Sequence, residues 1–214
     1  MMKLISVNRG QARTVPKGQG SERTGIYKTS VPGAVQLTAL GLEGDTVCDA
    51  RHHGGPDQAV YVYTLPDYDW WSQELGRRLA PGTFGDNLTV DGLESARAAV
   101  GDRLEVGAVL LEVTAPRIPC GTLARRMDDP QFVKRFRDAV RPGLYCRVLR
   151  PGPVRAGDPV SYTPAGSVKL GELFEDNYVS EPDEATVRRF LASPLSARAR
   201  RAQEQRLAKA LARK

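Results

Sequence analysis

The residues best suited to chemistry in this 214-residue chain lie in one short segment, 116–121, which reads Pro-Arg-Ile-Pro-Cys-Gly. Each proline fixes its own φ and favours extended geometry in the residue before it, so Cys120 is presented by a backbone with little freedom. Arg117 stays charged and favours the thiolate, and Gly121 leaves room for a bulky group. Such a thiolate can act as a nucleophile or as a ligand for a soft metal. The alternative is a small buried cysteine, the commoner state of a free thiol.

A second unusual segment, 51–58, holds the two histidines of the chain side by side, followed by Gly54 and Gly55. The glycines can adopt conformations in which backbone N–H groups face an anion. Adjacent histidines in an extended chain point to opposite sides, and two cannot supply a three-histidine zinc site. A mixed site of Cys48, one histidine and distant cysteines stays open, although no Cys-x-x-Cys spacing supports it. A glycine-rich turn capped by a hydrogen-bonded histidine is the structural alternative.

The elements that must position these segments are predicted to be mainly short strands. Apolar alternation predicts them at 3–7, 35–40, 59–64, 103–106, 109–114 and 143–149. Amphipathic helices are predicted at 66–79 and 128–136, and the polar segment 11–24 is predicted to be a mobile loop. Many short strands with frequent Gly or Pro between them favour a closed or nearly closed β structure.

The composition changes at residues 165 and 166. Helix periodicity and capping signals then predict three short helices, at 168–174, after 180–183, and over about 195–212. We therefore divide the chain into a β-barrel domain at 1–165 and a three-helix C-terminal unit at 168–214. A unit this small needs to pack on itself or on the barrel.

The formal net charge of +6 comes from the end of the chain. Of 31 basic and 25 acidic residues, seven basic and one acidic lie at 191–214, which leaves 24 of each in residues 1–190. A solvated charged helix face is the commoner reason for such a run. Because no nucleic-acid-binding motif accompanies it, we do not expect nucleic acid as the main partner.

The composition also bears on compartment. No apolar run approaches the roughly 18 to 20 residues of a membrane helix, and the polar start does not resemble a secretory signal. Three widely spaced cysteines, Cys48, Cys120 and Cys146, do not suggest a disulfide framework. We expect a cytoplasmic protein with reduced thiols and no membrane partner.

Five motifs occur in an order that resembles the MOSC (molybdenum cofactor sulfurase C-terminal) domain. They are Gly-Leu-Glu-Gly-Asp at 41–45, His-Gly-Gly-Pro-Asp at 53–57, Phe-Gly-Asp-Asn-Leu at 84–88, Pro-Arg-Ile-Pro-Cys at 116–120, and Gly-Leu-Tyr followed by Arg-Val at 143–148. The likeness covers nearly the whole chain and points to the YiiM-like branch. Two departures are Asp86, where the pattern leads us to expect glutamate, and the Gly121-Thr122 pair after the cysteine.

This resemblance implies the fold and the site. The fold would be mainly β, a MOSC-type β-barrel with a few peripheral helices, followed by the small C-terminal three-helix unit. The cofactor would be a molybdenum–pterin group, with Cys120 as the catalytic residue and molybdenum ligand; pyridoxal phosphate is not expected. The residues that would bind the cofactor are Lys28, His53, Gly54, Gly55, Asn87 and Arg117, of which Lys28 is the weaker candidate, for the cofactor phosphate.

The same resemblance implies a function in detoxification, the reduction of N-hydroxylated small molecules such as hydroxylamino purines. No flavin, haem or iron–sulfur motif is visible, so a separate electron-donor reductase is implied. One alternative is a cofactor or sulfur carrier that acts through a persulfide on Cys120. Another is a nucleic-acid- or ribosome-associated protein that acts through its basic tail and binds with steep salt dependence.

Overall fold

Thirteen strands and six helices form in the part of the chain that the structure, a computed structural model, describes: residues 2–51 and 53–212. The strands are β1 (Met2–Arg9), β2 (Arg13–Lys17), β3 (Gly20–Thr24), β4 (Thr29–Ser30), β5 (Val35–Thr38), β6 (Gly41–Leu42), β7 (Val60–Thr64), β8 (Leu88–Val90), β9 (Arg103–Val106), β10 (Val109–Ala115), β11 (Leu144–Arg150), β12 (Gly152–Val154) and β13 (Pro159–Thr163). The helices are α1 (Leu65–Glu74), α2 (Gly121–Met127), α3 (Phe132–Ala139), α4 (Leu170–Asp176), α5 (Glu184–Leu191) and α6 (Ala197–Leu211).

Seven of the strands close into a barrel in the order β1, β13, β9, β10, β11, β7, β8. Closure occurs where β1 pairs with both β13 and β8, with Met2 opposite Val160 on the first side. Neighbouring strands are antiparallel except β7 and β8, which run parallel with Val62 opposite Leu88. Closing the sheet satisfies the backbone groups that an open edge would leave unpaired. The predicted mainly β barrel fold is confirmed.

Two hydrophobic clusters fill the fold. The barrel interior is aliphatic, and β9 shows why: Leu104 and Val106 are buried while the alternating charged residues are exposed. The second cluster is aromatic and includes Trp71, Phe84 and Phe132, contributed by α1, α3 and the loop before β8. The ring centroids of Trp71 and Phe132 are 4.9 Å apart. The aromatic cluster therefore anchors α1 and α3 on the outside of the barrel.

The three C-terminal helices are confirmed, and they pack on the barrel. Phe190 and Leu195 belong to the aliphatic cluster, whereas Phe174 joins the aromatic one. The backbone N–H of Leu170 donates to the carbonyl of Ala98 at 2.7 Å. The helices thus bury their apolar faces on the barrel core, as their small size requires. The domain boundary between residues 165 and 168 stays a prediction.

The basic side chains of the tail face solvent only in part: Arg201 and Lys209 are exposed, whereas Arg198, Arg200 and Arg206 are half-buried. The guanidinium or ammonium groups of four residues bind oxygen atoms of the protein itself: Arg198, Arg200, Arg206 and Lys209. Arg200, for example, donates to the carbonyl of Ser193 at 2.9 Å. These cations satisfy carbonyl groups at loop and helix ends. The last two basic residues, Arg213 and Lys214, lie outside the described residues.

The predicted mobile loop at 11–24 is wrong, because this segment forms the β2–β3 hairpin. Its register pairs Thr14 with Arg23 and Lys17 with Gly20. Gly18 has a φ of 57° in the two-residue turn, a conformation that glycine adopts without steric cost. Val15 is buried and supplies the apolar contact that the polar composition conceals. The hairpin forms part of the wall of the cavity beside Cys120.

Three helices differ from prediction. Helix α3 covers Phe132–Ala139 rather than 128–136, because Asp128 lies at the end of α2. Helix α1 ends at Glu74 rather than near 79, because Gly76 adopts a φ of 62° and stops the helix. Helix α2 was not predicted at all.

Within the described residues, no helix combines the length and apolar character needed to cross a bilayer.

Candidate functional site

A cavity of about 630 Å³ opens beside Cys120. Much of its wall comes from the β2–β3 hairpin, the segments 45–49 and 116–122, and the first turn of α6. Six of the predicted site residues line it: Lys28, His53, Gly54, Asn87, Arg117 and Cys120. Gly55 does not line it. The fold therefore brings together residues that are far apart in the sequence. Lys28 and Cys120, for example, are 92 positions apart.

Cys120 lies between β10 and α2, as the residue that precedes the first turn of the helix, with φ −134° and ψ 168°. Its side chain is partly exposed to the cavity. Burial alone would raise the pKa of the thiol, but a hydrogen bond from His53 and the positive charge of Arg117 favour the thiolate. The pKa of Cys120 is accordingly lowered to about 6. Most of this thiol is ionised at neutral pH, which is the form that binds soft metals.

His53 links Cys120 to a second polar group. Its Nδ1 lies 3.0 Å from the hydroxyl of Tyr145 on β11, and its ring also hydrogen-bonds the Cys120 thiol. The backbone N–H of His53 donates to the carbonyl of Asp49 at 2.9 Å, which sets the local turn. Burial raises the pKa of Tyr145, so its hydroxyl keeps its proton. The imidazole therefore bridges a thiolate and a neutral phenol.

The two glycines after His53 have different positions. Gly54 borders the cavity with a φ of 73°, and a Cβ there would lie 3.3 Å from Cγ1 of Val47. Gly55 has a φ of 81° and precedes the short 3₁₀ helix Pro56–Gln58. Both positions need a left-handed backbone that glycine adopts readily. Gly55, a predicted cofactor contact, does not line the cavity. The left-handed backbone of the turn explains why this position is a glycine.

Arg117 is buried, with 4% of its surface exposed. Its Nη1 donates to the carbonyl of Phe84, and its Cζ lies 5.1 Å from the ring centroid of Tyr61. Burial disfavours the cation, but the nearby phenols of Tyr61 and Tyr145 favour it more, and the pKa of Arg117 is raised. The Nε has no hydrogen-bond partner among the described residues. Since an unpaired buried donor is costly, this N–H is suited to an acceptor on a bound ligand.

Lys28 is also buried, but its ammonium is already paired. Its Nζ binds Oδ2 of Asp45, and the same oxygen accepts from Nδ2 of Asn87 at 2.8 Å. Oδ1 of Asn87 in turn accepts from the backbone N–H of Tyr61 at 3.2 Å. Burial lowers the pKa of Lys28, and Asp45 partly offsets that effect. Asp45 therefore neutralises Lys28, which weakens its case as a phosphate anchor.

The cavity has a surplus of positive charge. Six basic side chains line it, namely Lys17, Arg23, Lys28, Arg117, Arg125 and Arg198. The acidic ones are Glu22, Asp45 and Asp49. A concave site with such a surplus attracts anionic ligands, including phosphates.

The zinc alternative gains no support. Within residues 2–51 and 53–212, no three or more His, Cys, Asp or Glu side chains are grouped so that they could hold a metal ion. His52 lies outside the described residues.

Sequence reasoning missed three groups at this site. Asp45 and Tyr145 stand within motifs that carry the family resemblance, at 41–45 and 143–148, so the motifs gave a signal for both. Arg198 gave none, because in the sequence it is one of many charges in a basic tail. Its place at the cavity follows only from the packing of α6 on the barrel.

The barrel with a thiol-bearing cavity places the chain in a known class. The family model for the MOSC domain matches residues 49–161, and the chain belongs to the MOSC domain family. It is 34% identical to the protein YiiM of Escherichia coli (strain K12) over 160 residues, which cover 73% of this chain and 70% of YiiM. It is 32% identical to YflK of Bacillus subtilis (strain 168) over 191 residues, 88% of this chain and 86% of YflK.

Two further similarities bear on fold and activity. The crystal structure of YiiM from Geobacillus stearothermophilus superposes with a TM-score of 0.79 at 27% identity, and covers 97% of this chain and 100% of that chain. A protein of Gibberella moniliformis (strain M3125 / FGSC 7600) named a reductase is 33% identical over 162 residues. Those residues are 74% of this chain but 28% of the fungal protein.

Proposed function

We propose that this protein binds a molybdenum–pterin cofactor through Cys120 and reduces N-hydroxylated small molecules, such as hydroxylamino purines, with electrons from a separate reductase. The observation that carries the proposal is a partly exposed thiol with a pKa of about 6 on a cavity of about 630 Å³. A structural cysteine has no need of an ionised sulfur. The relative named a reductase supports the oxidoreductase class.

The residues around Cys120 fit such a cofactor. The thiolate is a soft ligand of the kind that molybdenum accepts, the unpaired Nε of Arg117 can donate to a pterin or phosphate acceptor, and the basic lining suits a phosphate group. Further contacts would come from His53, Gly54 and Asn87. The ammonium group of Lys28 is less available, because it is already paired with Asp45. When bound, the cofactor supplies the two-electron chemistry that cleaves the N–O bond. Overall, R–NHOH takes up two electrons and two protons to give R–NH₂ and water.

The chain's own residues would bind the substrate and handle protons. The hydroxyl of Tyr145 keeps its proton and, with the His53 imidazole, forms a hydrogen-bonded pair at the cavity wall. Such a pair can hold a proton close to where the hydroxyl group leaves. Val47 and Ile118 line the cavity and are 48% and 41% exposed. Their apolar surfaces offer a contact for a planar ring.

The test is turnover with an artificial electron donor. Protein made in a host that synthesises the cofactor should reduce a hydroxylamino purine to the amine when supplied with a reduced viologen dye. Cys120→Ser should lose this activity, whereas Cys146→Ala, which changes a cysteine outside the cavity, should keep it. Full activity in Cys120→Ser, or no turnover by molybdenum-loaded wild type, would refute the proposal.

The second candidate is a sulfur or cofactor carrier, which the low pKa and partial exposure of Cys120 also favour. A carrier would hold a sulfane sulfur on Cys120 and transfer it without reducing the substrate. Cyanolysis of the freshly purified protein measures that sulfur. About one sulfane sulfur per chain, lost in Cys120→Ser and combined with no reductase activity, would favour the carrier.

A further inference from the structure

The segment that carries His53 has little regular structure of its own. Between β6 and β7, the described residues form one short 3₁₀ helix, Pro56–Gln58. Residues 47–51 are exposed and contain no strand or helix. A segment of this kind opens locally at low cost unless other elements hold it. Its position over the cavity therefore depends on contacts made from outside the segment.

Helix α6 supplies those contacts. Nη1 of Arg198 donates to Oε1 of Gln58, and Nη2 donates to the carbonyl of Arg51 at 2.8 Å. These two acceptors lie on either side of His53 in the sequence. One guanidinium, fixed on a helix that packs on the barrel, thus binds the segment on both sides of the residue that carries the imidazole. Hydrogen bonds from a charged donor are stronger than neutral ones.

The same turn of α6 makes a third contact with the segment. The backbone N–H of Ala197 donates to Oδ2 of Asp57 at 2.9 Å. Oδ1 of Asp57 lies 3.2 Å from Nη2 of Arg147 on β11. Asp57 therefore joins the helix, the segment and the barrel wall at one point.

We propose that Arg198 is a positioning residue of the candidate active site: it holds the segment 49–58 so that His53 reaches the cavity, and the C-terminal helices are thereby part of the site. Among the described residues beyond Tyr145, Arg198 alone lines the cavity. Other arginines of the helix bind elsewhere; Arg200 donates to Ser193 and Arg206 pairs with Asp176 at 2.9 Å. The effect of Arg198 on cofactor retention rests on the proposed function, whereas its effect on the segment 49–58 does not.

The test compares Arg198→Ala, Arg198→Lys and the matched control Arg200→Ala from the same helix. Hydrogen–deuterium exchange of 49–58 should rise about tenfold in Arg198→Ala, the loss expected for hydrogen bonds from a charged group, while the barrel strands exchange as in wild type. Arg198→Lys should recover part of the protection, and Arg200→Ala should leave it unchanged. Molybdenum retained per chain after gel filtration should fall in Arg198→Ala and stay at the wild-type level in Arg200→Ala.

Unchanged exchange of 49–58 and unchanged molybdenum retention in Arg198→Ala would overturn the proposal. If that variant does not fold, Gln58→Ala removes the acceptor of Nη1 of Arg198 from the segment side, and it should raise exchange in 49–58. Normal protection in Gln58→Ala would then refute the role. If wild type binds no molybdenum, the proposed function fails, yet the exchange comparison still decides whether Arg198 positions the segment.

Discussion

Cys120 and Cys146 are two thiols of one chain in opposite surroundings. Cys146 is fully buried on β11, and burial raises its pKa. Cys120 is partly exposed, and its contacts with His53 and Arg117 outweigh the effect of burial. Because thiolate content controls reactivity, the difference between the two sites can be measured directly.

We predict that alkylation of Cys120 by iodoacetamide in the metal-free protein reaches half its maximal rate near pH 6. An ordinary thiol does so near pH 8.5. Below pH 6 the thiol is protonated and the rate falls; above it the rate levels off. Mass spectrometry of the Cys120 peptide gives the rate, and Cys146 in the same digest should stay unlabelled while the protein is folded.

The variant His53→Ala should move the half-maximal pH of Cys120 upward, since it removes the leading favourable contact of the thiolate. Burial, which disfavours the thiolate, would then weigh more heavily. A Cys120 titration near pH 8.5 in wild type, or one that His53→Ala leaves in place, would contradict this assignment.

At the scale of elements, the site depends on connections whose local sequence is ambiguous. The two prolines of 116–121 predicted a stiff presentation of Cys120, which stays a prediction, and they concealed α2, which starts directly after it. Helix α2 has no capping side chain at its start, so the usual start signal is absent. By contrast, β9, β10 and the three C-terminal helices carry local signals and could be predicted.

The β2–β3 hairpin is attached to α2 through one carboxylate. Oε1 of Glu22 accepts from Oγ1 of Thr122 at 2.9 Å and from Nη2 of Arg125, and Oε2 pairs with Nζ of Lys17 at 2.9 Å. Glu22 thereby holds the hairpin beside the turn that follows Cys120.

We predict that Glu22→Ala loosens the hairpin without unfolding the barrel. The lost contacts are partly exposed and are worth about 1 kcal/mol, or about a fivefold rise in hydrogen exchange of 13–24. Arg23→Ala is the matched control, because Arg23 lies on the same strand and makes no ion pair with any residue that the structure describes. Equal exchange in both variants would show that Glu22 does not hold the hairpin.

At the scale of the whole molecule, the site joins distant parts of the chain, and this part could not be read from the sequence. Lys28 and Asp45 are 17 positions apart, and Gln58 and Arg198 are 140 apart. Such pairs follow from how the barrel closes and how α6 packs, not from any local pattern. The motifs of the family resemblance did predict four residues that line one cavity, because each of the four lies within a motif. They are Cys120, Arg117, His53 and Asn87.

The barrel and the C-terminal helices share one core, so we predict that they unfold together. Fluorescence of the tryptophans on α1 and far-UV circular dichroism should give the same denaturant midpoint. Phe190→Ala, which empties a buried position in α5, should lower the free energy of unfolding by about 3–5 kcal/mol by both probes. Leu211→Ala, at a position 43% exposed, is the control and should change it by less than about 0.5 kcal/mol. Two separate transitions would contradict a shared core.

The most direct measurement is the ratio of molybdenum and pterin to protein chain after purification from a host that makes the cofactor. We predict close to one of each per chain for wild type and far less for Cys120→Ser, with Cys146→Ala resembling wild type. Wild-type protein that carries neither, or Cys120→Ser that carries as much as wild type, would contradict the assignment of Cys120 as the cofactor's ligand.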